Sequence, residues 1–295
     1  MSGISHQSAA ACLVVLRIGA DHRVGGWAKT ARKDRDWDLV LSPYQDIPDL
    51  PEFDADAVIP LPGGKWEALH AIFTDRPEML AGRALIWLPD DDLEGSADTV
   101  ARLFAIARAQ GLDLCQPALT PGSAFSHFVT VQHLLTNVRY TNFVELMAPL
   151  MTPDVMRAAL PQMKGRAGAK GLDFIWHRFV RAPAGARVAV IDAAAMAHRR
   201  PLGGALAPAM AEKGRDLEDE RAAFFKAHLG PRYYRTLSHG HDGPLGRGLV
   251  GRASVTLAGV LTVLLTPALW RKDALARAAK TLWAQITRDI WQGTR

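Results

Sequence analysis

The chain has 295 residues, 48% of them apolar, enough for one large α/β domain or two smaller ones and too apolar for a disordered chain. Against 30 acidic residues stand 35 basic ones, a net charge of +5 that suits anionic ligands or a membrane surface; with no Lys/Arg stripe interleaved with aromatics, a nucleic-acid binder is excluded. Cys12 and Cys115 stand in apolar runs, as buried thiols do, and the amino terminus lacks a basic stretch with a small-residue cleavage site, so a cytoplasmic location is expected.

The apolar run at 12–18 predicts a first strand, followed by "RIGADHRVGGW", where the GxGxxG of a dinucleotide-binding turn is absent. Further strands are expected at 37–42 and 57–61. "LPGGKWEALH" then places two glycines and Lys65 at a helix start, where free N–H groups favour phosphate, although the spacing is not a Walker motif. Lys65 on a solvated first turn is the competing reading. A strand at 84–88 runs into Asp90, Asp91 and Asp92, and Ser96 caps the helical pattern "SADTVARLFAIARAQG". Strands at 112–117, 142–146 and 187–191 alternate with the short helical stretches "TPDVMRAALPQM" and "LDFIWHRFV". This alternation predicts a mostly parallel mixed sheet with helices on both faces over residues 1–204.

Residues 205–248 read as a charged helix followed by a Gly- and His-rich linker, in which "HGHD" (239–242) is a mobile loop more readily than a chelate. Residues 249–295 read as a helical hairpin. Its first part, 253–270, carries no charge and is near the lower limit for a bilayer span, weakened by Ser254, three threonines and Pro267. The second sets Leu275, Ala279, Leu282, Trp283, Ile286 and Ile290 on one face, with Arg277, Lys280 and Arg288 among its charges. Packing on the rest of the chain or a second subunit, attachment to a membrane surface, and a true span all remain open.

Adjacent carboxylates at the end of a strand, where open α/β sheets bind ligands, call for solvent or a cation, and oxygen ligands select Mg²⁺ or Mn²⁺ over zinc. A solvated acidic helix start is the alternative. An EF-hand fails, because Ala101 stands where a bidentate Glu is needed. No GxSxG elbow, HExxH or paired CxxC appears.

The Asp-x-Asp of Asp90 and Asp92 resembles the metal-binding motif of A-type nucleotide-sugar glycosyltransferases. Four segments, "WLPDDDL", "FVELMAPLM", "GLDFIW" and "VAVIDAAAMAHRRPLGG", resemble an uncharacterised plant and bacterial family labelled lysine-ketoglutarate reductase trans-splicing related, itself similar to A-type enzymes. The resemblance implies an A-type fold with a C-terminal helical extension. It implies metal and nucleotide contacts for Asp90 and Asp92, with Asp91 between them facing water or sharing the nucleotide site, and a third metal ligand in His198, which is otherwise an ordinary loop histidine next to "RRP". Arg17 and Asp21 fall where such folds hold base and ribose. Asp173 is the expected catalytic base, or else a helix cap; Glu145 is a paired group that binds acceptor hydroxyls or acts as a second base, or else lies on the solvent side of an edge strand. The expected function is metal-dependent sugar transfer from a nucleotide diphosphate donor to a glycan or lipid-linked acceptor. A nucleotidyltransferase and a non-catalytic carbohydrate-binding or membrane-tethered scaffold are the alternatives.

Overall fold

All seven residues of β1 (Cys12–Ile18) are buried, and they alternate between two cores. Cys12, Val14, Leu16 and Ile18 join one cluster with Leu103 and Phe104, while Leu13 and Val15 join another with Trp66, Leu69 and Val155. A strand apolar at every position but Arg17, and buried throughout, is the pattern of a sheet covered on both faces. The computed structural model describes residues 11–48, 50–181, 184–201, 206–212, 214–228 and 236–288.

After β1 come β2 (Trp37–Pro43), β3 (Ala57–Val58), α1 (Lys65–Asp75), β4 (Leu85–Trp87), β5 (Leu93–Glu94), α2 (Ala97–Ala109) and β6 (Leu114–Leu119). The chain continues through β7 (Val138–Thr141), β8 (Leu150–Met151), α3 (Pro153–Ala159), β9 (Val188–His198), α4 (Leu206–Ala211) and α5 (Leu217–His228). It closes with β10 (Ser238–His241), α6 (Gly248–Leu265) and α7 (Lys272–Thr287). The strand order is β10-β7-β9-β6-β8-β4-β1-β2-β3, with β5 off this path on β9. β4, β1, β2 and β3 run parallel, as do β6 and β9; β8, β7, β10 and β5 pair antiparallel. The expected mixed α/β sheet is therefore present. The Ser96 hydroxyl caps α2 by accepting the Thr99 N–H at 3.2 Å, as the sequence predicts.

Three segments depart from expectation. The run at 142–146 is a turn that follows β7, because side chains take two of its amides: Thr141 Oγ1 accepts Phe143 N–H at 3.1 Å and Gln116 Oε1 accepts Glu145 N–H at 2.6 Å. The strand expected at 187–191 extends to His198, so that histidine ends a strand instead of sitting in a loop. Within the expected linker, "SHGH" is an edge strand on β7, where His241 Nε2 meets Ser254 Oγ at 2.8 Å and Asp242 Oδ1 accepts the Val138 N–H at 3.2 Å.

The C-terminal helices lie side by side. Leu282 packs on Gly259, and Gln285 Nε2 donates to Thr256 Oγ1 at 3.1 Å. α6 lies on β10, and α7 lies on the turn at 128–130.

Candidate active site

Each of the three aspartates has its own partner, and chain direction decides which. The chain leaves β4 held by two backbone bonds, Leu88 N–H to Pro149 O and Asp90 N–H to Met147 O, then turns into β5. There Leu93 pairs with His198 and Glu94 with Ala197. That two-residue ladder sets the imidazole of His198 beside Asp92, with Nε2 3.1 Å from Oδ2.

Asp90 accepts from Lys65 Nζ at 2.6 Å. Its side chain is 39% exposed, but into the cavity, whose walls desolvate it and push its carboxyl up against the pull of Lys65. Lys65 also donates to the carbonyls of Leu88, Leu146 and Met147 at 2.8, 2.9 and 3.3 Å. An ammonium has three protons, so Lys65 ties Asp90 to two backbone segments and has no donor left over for a phosphate. At the start of α1, Glu67 Oε1 takes the Gly64 N–H at 2.9 Å, and a Cβ on Gly64 would sit 2.6 Å from Ala167.

Asp91 does not face water. It is 6% exposed and accepts from Gly19 N–H at 2.9 Å, Tyr44 hydroxyl at 2.9 Å and Arg200 Nη1 at 2.8 Å. It joins the end of β1 to the loop after β9 and also lines the cavity. Burial, then Asp91, pushes the Tyr44 phenol up, so it remains a neutral donor. Arg17 is likewise turned inward: Nη1 donates to Ser42 O, Ser42 Oγ and Leu61 O, and Nη2 to Gly63 O at 2.8 Å. Burial lowers it to about 10. Asp21 is exposed and outside the cavity lining, and contributes its carbonyl to Arg200.

Asp92 and His198 form an open pair of donors. Asp92 Oδ1 is buried without a hydrogen-bond partner, and His198 Nδ1 lies 2.9 Å from the carbonyl of Ala124. A proton on Nδ1 satisfies that carbonyl and leaves the Nε2 lone pair for a cation, the usual arrangement of a metal-binding histidine. Without a cation, burial disfavours the imidazolium but the Asp92 carboxylate outweighs it and raises His198 above its ordinary value. No group of three or more His, Cys, Asp or Glu gathers as a closed metal cage among the described residues. Two protein donors fit Mg²⁺ or Mn²⁺, which commonly complete their shell with water and substrate phosphate.

These groups border a cavity of about 980 Å³ that Glu145 and Asp173 also line. Asp173 sits in a single 3-10 turn after Gly171, whose φ of +103° favours glycine, and Oδ1 accepts the Gly171 N–H at 3.1 Å. Burial, opposed by backbone N–H donors, raises Asp173 to about 7. Burial, then repulsion from Asp173, raises Glu145 to about 7 as well, and Glu145 Oε2 has no hydrogen-bond partner. Two neighbouring carboxyls poised near neutrality can hold and release a proton.

Sequence reasoning missed one wall. Arg277, Lys280, Thr281 and Ala284 of α7 line the cavity, and Arg277 Nη1 donates to Ser126 O at 2.8 Å. His127 lies 4.5 Å from the Phe143 ring, and burial, then Arg277 and Lys280, lowers it to about 4. Their spacing on the polar side of an amphipathic helix was visible; the cavity they face was not.

No family model and no curated protein matches the chain, so the likeness of its four segments to the uncharacterised family gains nothing from that comparison. Among solved structures, Staphylococcus aureus TarS 1-349 in complex with UDP-GlcNAc overlaps with a TM-score of 0.42 at 8% identity, over 66% of this chain and 60% of that one. A mycobacterial protein overlaps with a TM-score of 0.44 at 15% identity, over 65% of this chain and 69% of that one. A putative nucleotide-diphospho-sugar transferase from Desulfovibrio desulfuricans G20 gives 0.32 at 11% identity, over 57% and 76%. The chain spans 59% to 60% of the TarS 1-349 chains it matches. The similarity is one of strand and helix layout over part of each chain.

Proposed function

We propose that the chain is a divalent-cation-dependent glycosyltransferase that takes a nucleotide diphosphate sugar and transfers its sugar, with inversion, to a hydroxyl of a glycan or lipid-linked acceptor. The observation that carries this reading is Asp92, whose Oδ2 lies 3.1 Å from His198 Nε2 and whose Oδ1 has no partner, in the lining of a cavity that Asp173 and Glu145 share. Asp92 and His198 would hold Mg²⁺ or Mn²⁺, which supplies positive charge to the donor diphosphate and stabilises it as a leaving group. Lys65 fixes Asp90 at the cavity wall, and Arg277 and Lys280 add positive charge on the α7 side. Asp173 accepts the acceptor hydroxyl proton as the new C–O bond forms and the bond to the diphosphate breaks. Glu145, raised by burial and then by Asp173, lines the same cavity and would take acceptor hydroxyls. The cavity, the comparisons and the resemblance of the Asp-x-Asp motif all support a nucleotide-sugar ligand.

The test is thermal stabilisation by UDP-, GDP-, CMP- and dTDP-sugars with and without Mn²⁺. A ligand at a hundredfold excess over its dissociation constant stabilises by about 2.7 kcal/mol. One donor is expected to act in a Mn²⁺-dependent way; no shift with any donor in the presence of metal would sink the proposal. A second reading, donor binding without turnover, is favoured by the protein's own cations, since Lys65 and Arg200 already neutralise Asp90 and Asp91. Binding with no free nucleoside diphosphate released on adding acceptors would select it.

A further inference from the structure

The outer surface of the C-terminal helical layer has an unusual composition. On α6, Leu249, Leu257 and Leu264 point outward, and on α7, Leu275, Trp283 and Ile286 do so, with Leu249 86% and Trp283 70% exposed. On α6 this stripe lies opposite Gly251, Val255, Ala258 and Thr262, and on α7 opposite Ala274, Ala278 and Thr281, which are buried. Because the two helices lie side by side, their stripes share one outer surface. The charge of this layer is one-sided: from Arg247 to Arg288 the sequence has seven basic residues, of which Arg277 and Lys280 line the cavity, and a single acid, Asp273. Arg271, Lys272 and Arg288 are exposed.

The geometry points to an anionic lipid bilayer as the occupant of this surface, with the helical layer lying in the headgroup region and not crossing it. An apolar stripe edged by cations and flanked by exposed tryptophans is the composition of an interfacial helix. A second copy of the chain is disfavoured by charge, because a two-fold contact would set basic edge against basic edge with one aspartate from each side to offset them. Crossing is disfavoured by the other face of α6. Although α6 is long and apolar enough to span, Thr256 and Thr262 are tied to Gln285 Nε2 and Leu134 N–H at 3.1 Å each, and its inner side covers β10. Leaving those partners for hydrocarbon would strip polar groups and uncover an edge strand. α7 carries Arg277 and Lys280 on its cavity side, so docking also sets the catalytic cavity beside the headgroups.

The experiment is co-sedimentation of the full chain with phosphatidylcholine vesicles, with and without phosphatidylglycerol, alongside its solution mass and the donor thermal shift. Binding is expected only with phosphatidylglycerol. It should weaken as salt is raised to about 1 M, where charges are screened beyond about 3 Å. Leu257→Glu with Trp283→Glu should keep the melting temperature and the donor shift while reducing vesicle binding about tenfold or more. Absence of binding to anionic vesicles, with or without a doubled solution mass, overturns the proposal. Binding that resists both salt and alkaline carbonate overturns surface docking in favour of a span. Since the donor shift is read on the same protein, loss of vesicle binding with the shift intact separates this inference from the proposed activity.

Discussion

Asp173 and Glu145 are acids whose values in the folded chain, about 7 each, lie above the ordinary 3.8 and 4.5. The folded state therefore holds protons that the unfolded chain gives up, and the stabilisation is complete below the ordinary values and lost as pH rises through about 7. Melting temperature should fall across that window, and Asp173→Asn should flatten the fall. In the proposed reaction the same titration runs the other way for rate: kcat/KM should rise with pH through about 7. Asp173→Asn should lower kcat by about 10²- to 10⁴-fold and abolish that limb. A variant that keeps both rate and limb would pass the role of base to Glu145. At Asp92, alanine should remove the Mn²⁺-dependent part of donor stabilisation and leave any metal-independent part, read by calorimetry with and without the ion.

Among the elements, β9 does the most to assemble the site, and its interior carries a buried ion pair. Arg139 on β7 reaches Asp192 through Nε and Nη2 at 2.7 and 2.9 Å and also donates to the carbonyls of Val129 and Val131. Removing one partner of such a pair leaves an uncompensated charge. Arg139→Met should cost about 3–5 kcal/mol, measured by urea unfolding. Much of the sheet was legible because β1, β2 and β4 fall in largely apolar runs. The site was legible only in part. Asp90 and Asp92 stand out as adjacent acids at a strand end, yet nothing local says that Asp91 turns inward, or that Lys65 is spent on Asp90 and three carbonyls. The partner of Asp92 follows from the pairing of Leu93 with His198, a contact remote in sequence that no periodicity encodes. The 142–146 run misled because side chains, Thr141 and Gln116, take the amides of Phe143 and Glu145.

Taken whole, the molecule closes its cavity with a helix from the far end of the chain. Of that helix's expected apolar face, Leu282 packs inward against Gly259, Leu275, Trp283 and Ile286 are exposed, and Ile290 lies outside the described residues. Arg277→Ala combined with Lys280→Ala should raise KM for an anionic substrate by roughly tenfold with a smaller change in kcat, because these cations act on binding before chemistry. An equal loss in kcat and kcat/KM would instead assign them to the transition state.

The ladder between β5 and β9 is only two residues wide, yet it joins segments made far apart in time as the chain is synthesised. A ribosome that has released the acidic triplet must still make all of β6 through β9 before the imidazole exists to face it. At the proposed metal site, ion capture would therefore be withheld from every chain that stops short of His198, and manganese uptake during refolding should follow the pairing of β5 with β9, not early collapse.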